Sequence, residues 1–132
     1  MATVLLGSAF ALGGCSDSPA DQVRAKVQQL VQATAQKDYR AICEDVLAPS
    51  LVAHLTKNGI PCPAAMRLAL GSVHNPTVSI GRVIIHGSTA WAITLTSARG
   101  QRATLAAIKL LRTHPGWRIT SLGSPVSAAV GR

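Results

Sequence analysis

No aspartate or glutamate follows Asp45. The chain has 132 residues and five acids, Asp17, Asp21, Asp38, Glu44 and Asp45, all before residue 46. The segment after Asp45 therefore supplies no carboxylate base, no carboxylate pair and no acid to orient a histidine. Aromatic residues are 3% of the chain, namely Phe10, Tyr39, Trp91 and Trp117. That is too few for a base-stacking array, and the core is left to small aliphatics. Cys15, Cys43 and Cys62 form no CxxC pair, and His54, His74, His86 and His114 are dispersed, a pattern unsuited to zinc. Glycine-rich phosphate loops and GxSxG elbows are missing too. No catalytic residue, metal or cofactor is expected.

Positive charge dominates what remains. Lys57, Arg67, Arg82, Arg99, Arg102, Lys109, Arg112, Arg118 and Arg132 follow the last acid, within a formal net charge of +8 for the whole chain. Such a field favours anionic surfaces, although solubilising arginines would give the same composition. Nucleic acid is disfavoured, because no aromatic stacking array accompanies the basic residues.

Met1 to Gly14 carry no charge, and Val4, Leu5, Leu6, Ala9, Phe10, Ala11 and Leu12 make an apolar stretch. It is too short for the roughly 20 residues of a membrane-spanning helix and has the length of a signal-peptide core. It ends in Leu12-Gly13-Gly14-Cys15, followed by Ser16-Asp17-Ser18. This tetrad resembles the lipobox of bacterial lipoproteins, in which the cysteine becomes the acylated N-terminus; the departure is that Met1-Ala2-Thr3-Val4 has no basic residue. The resemblance implies a signal peptide over 1–14, a lipidated tether over 15–18 and a partner in the membrane, at the extracytoplasmic face of the cell membrane. Cys43 and Cys62 then remain as an even pair in an oxidising compartment, and a disulfide between them is expected.

The tether leads into a helix start, with Ser18 as cap, Pro19 in the first turn and Asp21 three residues on. Val23, Val27, Leu30, Val31 and Thr34 recur at helical spacing, which predicts an amphipathic helix to about Gln36. Asp38 caps a second helix carrying Cys43. Short helices follow over Ser50 to Lys57 and Pro63 to Leu70, bounded by Asn58-Gly59 and Gly71. From Thr77 the period becomes two, and Gly87-Ser88, Arg99-Gly100 and the segment His114-Pro115-Gly116 punctuate four strands. If Arg99-Gly100 is a two-residue loop, Trp91, Ile93 and Leu95 face inward with Ile108, Ala106 and Thr104. Ile80, Arg82, Ile84 and His86 join them if Gly87-Ser88 is one too. A four-residue loop over Thr113 to Gly116 adds Leu110, Trp117 and Ile119, leaving Thr94 and Thr96 to solvent.

Helices followed by an antiparallel meander ending in Gly116-Trp117-Arg118-Ile119 resemble the nuclear transport factor 2-like fold. There the sheet curves into a cone around the first helix. The resemblance implies an α+β domain over 19–123 with a flexible tail over 124–132. A cysteine in the second helix and another before the next also resemble a group of actinobacterial envelope lipoproteins. A cystatin-like fold is the alternative, and it leaves Asp38 to Leu70 without a role. The resemblance places isomerases and dehydratases in the superfamily beside many members with no activity.

Arg82 is the residue that the expected register singles out. Facing inward without a sheet carboxylate, it would wait for an anionic ligand in a pocket lined by Tyr39, Trp91 and Trp117. A bulge at Gly81 would turn it outward instead, and an acid on the first two helices could also pair with it. The reading is a non-catalytic envelope lipoprotein that binds a small amphiphilic or anionic ligand or docks an envelope protein, with an anionic lipid or envelope component as its partner. The alternatives are a small cofactor-independent isomerase or dehydratase and a purely structural domain.

Overall fold

The computed structural model describes residues 18–125. The expected signal segment, the lipidation site Cys15 and all of the tail beyond Pro125 lie outside the described residues. Four helical segments come first: α1 (Pro19–Ala35), α2 (Tyr39–Ala41, continued by a π turn over Ile42–Val46), α3 (Pro49–Lys57) and α4 (Cys62–Leu70). Four strands follow: β1 (Thr77–His86), β2 (Thr89–Ser97), β3 (Thr104–Thr113) and β4 (Gly116–Pro125). They pair in chain order as one antiparallel sheet. β4 thus extends two residues beyond the expected domain end at 123.

Local chemistry sets the helix boundaries. The Asp21 N–H donates to Ser18 Oγ at 3.2 Å, and the Ala41 N–H to Asp38 Oδ1 at 3.1 Å, so both helix starts are capped by side chains. Val23, Val27, Leu30, Ala33 and Thr34 form the buried stripe of α1. The π turn closes through Leu47 N–H to Ile42 O at 2.9 Å. Beyond it, Leu47 bridges Ile119 in parallel, and the Ala48 N–H donates to Ile119 O at 2.8 Å. This connection satisfies part of the open edge of β4, which would otherwise present unpaired backbone groups. Cys43 in the π turn and Cys62 at the start of α4 are joined by a disulfide with a Cα–Cα distance of 6.1 Å.

The sheet departs from the expected register at two places. Gly87-Ser88 is the two-residue turn of the β1–β2 hairpin, with His86 opposite Thr89. In β2–β3, however, Thr96 faces Thr104 and Ala92 faces Ile108, one residue away from the pairing that a two-residue Arg99-Gly100 loop would impose. A slip of one residue exchanges the two faces of a strand. Ile108 and Ala106 keep their inward position, while β2 turns Ala90, Ala92 and Thr94 into the core and Trp91, Ile93 and Leu95 outward. Thr94 is fully buried, against the expectation that it faces solvent.

The second departure is a bulge in β1 between Ile80 and Val83, where Gly81 and Arg82 together oppose Ile93. Arg24 on α1 stabilises it: its guanidinium donates to Ile80 O at 3.1 Å and to Gly81 O at 3.0 Å. Val78, Ile80, Val83 and Ile85 consequently pack against the core, whereas Arg82 and His86 are exposed. Thr113 pairs with Gly116, so the last turn is His114-Pro115, two residues shorter than expected but with the same register. Leu110, Trp117 and Ile119 accordingly face inward and are buried.

Candidate functional site

Side-chain volume is unevenly distributed along the inner face of the sheet. At the end holding the β1–β2 and β3–β4 turns, Leu110, Trp117 and Ile119 pack with Ile42, Val46 and Leu47. At the opposite end, beside the β2–β3 loop, the inward positions are the short side chains Thr94, Thr96, Thr104 and Ala106. α1 bridges both ends at its own fixed width, so the end with short side chains is left underfilled.

The result is a cleft of about 190 Å³. Its floor is the C-terminal half of α1, with Val27, Leu30, Val31 and Thr34. Thr77 and Val78 of β1, Thr96 and Ser97 of β2, and Thr104 and Ile108 of β3 form one wall. Leu70, Val73 and Pro76, leading from α4 into β1, form the other. Ala98, Gln101 and Arg102 make the lip.

Most polar groups around this cleft are already engaged. Thr34 donates to Leu30 O at 2.7 Å, Thr94 to Ala106 O at 3.3 Å and Thr96 to Thr104 O at 3.4 Å. Thr77 and Ser97 share a hydroxyl hydrogen bond of 2.8 Å. The methyl groups of Thr34, Thr77 and Thr96 are then the surface that these residues leave for a ligand. The loop itself is fastened by Arg99, whose backbone N–H donates to His74 O at 2.8 Å and whose guanidinium meets the Asn75 side-chain oxygen, at 3.0 Å from Nε. Arg102 differs: among the described residues its guanidinium has no hydrogen-bond or ion-pair partner, and it is exposed at the lip.

Among the described residues no acid and no histidine lines the cleft. His54 on α3 lies 3.3 Å from Asn58 Nδ2, and His74, His86 and His114 are exposed. Among the described residues no group of three histidine, cysteine or acidic side chains is placed to hold a metal ion. The arrangement can shelter apolar atoms and neutralise one negative charge at its rim. Among its lining side chains there is no general base to abstract a proton.

The four residues expected to share a pocket do not converge. Arg82 is turned outward by the bulge, and Trp91 is 37% exposed on the opposite face of the sheet from the core. Tyr39 and Trp117 are core residues, and Trp117 is 2% exposed, with Arg112 4.9 Å above its ring and, among the described residues, no acceptor for its indole N–H. The residues that do form the cleft escaped the sequence reading. Their signal was a set of short side chains alternating through the end of β2 and just beyond it, at Thr94, Thr96 and Ala98, beside an arginine in the following loop.

Comparison with known proteins gives one informative likeness. No protein-family model and no curated protein sequence matches the chain. Among solved structures, it is similar to a candidate dehydratase of the NTF2-like family from Streptomyces avermitilis. The two share 18% identity with a TM-score of 0.53, over 83% of this chain and 96% of that one. At that identity the likeness speaks to fold. The chain has the nuclear transport factor 2-like architecture of helices packed against a four-stranded antiparallel sheet.

Proposed function

We propose that the chain is an exported lipoprotein, acylated on Cys15, whose domain holds a small amphiphile in the cleft with the ligand's anionic group at Arg102. The supporting observation is the cleft's composition: apolar walls, hydroxyls already engaged, and one unpaired guanidinium at the lip. Its volume is below the roughly 300–1,000 Å³ of drug-sized sites, so it suits a compact ligand or the end of an acyl chain. The Cys43–Cys62 disulfide accords with an oxidising, extracytoplasmic location.

The dehydratase assignment of the structural relative raises a second reading, catalysis in the same cleft. A cone-shaped isomerase or dehydratase site needs a carboxylate or histidine base, and the cleft lining supplies neither. Non-catalytic binding is therefore the reading we favour.

Decanoate and decanol, which share a chain and differ in charge, separate these features in a thermal-shift titration of the full chain. Decanoate is expected to raise Tm more than decanol, and Arg102→Gln to remove the difference between them. Thr96→Phe, which fills the cleft, is expected to abolish both shifts. Equal shifts in wild type and Thr96→Phe would sink the cleft assignment. A decanoate preference surviving in Arg102→Gln would remove the role of Arg102.

A further inference from the structure

The outward face of the sheet carries an apolar strip that none of the described residues covers. Trp91, Leu95 and Leu105 are 37%, 47% and 44% exposed, and Leu95 lies directly opposite Leu105 across the β2–β3 ladder. Ile84, Ile93 and Ala107 fill the space between them: Ile84 is opposite Trp91, and Ile93 opposite Ala107. These positions follow from the register slip, which turns Trp91, Ile93 and Leu95 of β2 toward solvent. Isolated surface leucines need no explanation, but a contiguous strip along neighbouring strands marks an interaction surface.

Cations frame this strip. Lys109 is opposite Trp91, with its ammonium 5.4 Å from the indole centroid. Arg82 is exposed on the β1 bulge, and Arg99 and Arg102 lie in the loop that follows the Leu95 end of the strip. Among the described residues no acid pairs with them. Asp21, Asp38, Glu44 and Asp45 all sit on the helical side, in α1, its connection and α2, and no aspartate or glutamate occurs in the sheet.

We propose that this face lies on an anionic phospholipid bilayer. Trp91 and the leucines would enter the headgroup–acyl boundary, where an indole places its ring in apolar and its N–H in polar surroundings. Lys109 and Arg82 would meet lipid phosphates at the rim. Charge decides between this occupant and a second copy of the chain. Two such faces brought together would oppose cations with cations and supply no aspartate or glutamate to neutralise them, whereas an anionic headgroup layer complements every charge on the face. The proposal does not depend on the cleft or on acylation of Cys15.

The full chain carrying Cys15→Ser, which cannot be acylated, tests it by co-sedimentation with phosphatidylglycerol vesicles against phosphatidylcholine vesicles. Binding is expected to the anionic vesicles and to weaken as salt approaches 1 M, where the Debye length falls to about 3 Å. Each cation at an anionic surface is worth roughly five-fold in binding, so Arg82→Gln with Lys109→Gln should weaken it roughly 25-fold. Any binding through the N-terminal apolar segment is common to both chains and cancels in their comparison. Acyl chains brominated near the headgroup should quench tryptophan emission, and Trp91→Phe should remove that quenching, because Trp117 is buried. Equal binding to both lipids, an unaffected double variant, or unquenched Trp91 would each overturn the proposal. Dimers in vesicle-free solution that Leu95→Glu dissociates, with Trp91 unquenched on vesicles, would assign the face to a second copy instead.

Discussion

Three long cationic side chains tie the helices to the sheet and to one another by donating to backbone carbonyls. Arg24 meets the Ile80 and Gly81 carbonyls at the bulge, Lys26 donates to Asp45 O at 3.0 Å, and Arg118 to Glu44 O at 2.7 Å. The last two converge on the end of the π turn, where carbonyls left without helical partners concentrate negative potential. Burial holds the Lys26 ammonium below the ordinary lysine value, the neighbouring Arg118 charge lowers it further, and Asp45 opposes them. As pH rises the folded chain therefore releases this proton before the unfolded chain does. Between the lowered value and 10.5 the unfolded state holds more protons, so the Lys26 contribution to stability rises with pH across that window. Urea denaturation from pH 8 to 10.5 should show wild type gaining on Lys26→Gln; parallel curves would contradict the assignment. At this scale the sequence was partly legible. Arg82 stood out as an arginine in an apolar strand, with a bulge at Gly81 among its possible outcomes. The selecting contact comes from Arg24, far off in sequence, and side-chain to carbonyl bonds of that range leave no pattern to read.

Elements were more legible than their pairing. Capping residues, prolines and the 3.6-residue period placed the four helical segments within a residue or two, because those signals act locally. The β2–β3 hairpin failed because Arg99-Gly100 has the chemistry of a tight turn and does make one, with the Gln101 N–H donating to Ala98 O at 3.0 Å. The strands nevertheless resume pairing only at Thr96 and Thr104, with one residue more on the β3 side. That single residue hid the cleft, since it decides whether threonines or Trp91 and Leu95 face α1. A matching irregularity occurs in β4, where the register shifts between Ala107 and Lys109 opposite Gly123. Gly123 has φ 106°, and a Cβ there would lie 3.3 Å from the Ala106 Cβ. Gly123→Ala should thus destabilise by about 1–2 kcal/mol from backbone conformation, with crowding at Ala106 in addition. Chemical denaturation reads this directly, and a variant as stable as wild type would mean that β4 adopts another register there.

At the scale of the whole molecule, charge and covalent linkage are arranged by layer. The acids among the described residues belong to the helical layer, and every charged residue of the sheet is basic. The Cys43–Cys62 bridge lies entirely in the helical layer, joining α2, which packs on α1 and β4, to α4, whose last residue Leu70 reaches the cleft. This bridge was legible from cysteine parity and compartment. Its link to the cleft was not, because the Leu70 to Pro76 connection has no period that foretells where it packs. Replacing both cysteines by alanine removes a constraint over a separation of 19 residues, worth roughly 3 kcal/mol in the chain-entropy model. For a domain of this size that corresponds to a fall in Tm of roughly 10–20 °C. The two effects of the bridge separate by temperature. Well below the lowered Tm the variant is folded, so any loss of decanoate affinity there reports the placement of α4 and not global unfolding. A loss confined to Tm would make the bridge a pure stabiliser. A loss of affinity in the folded variant would show that the disulfide also holds the Leu70 and Val73 wall against α1, coupling the redox state of the compartment to the shape of the cleft.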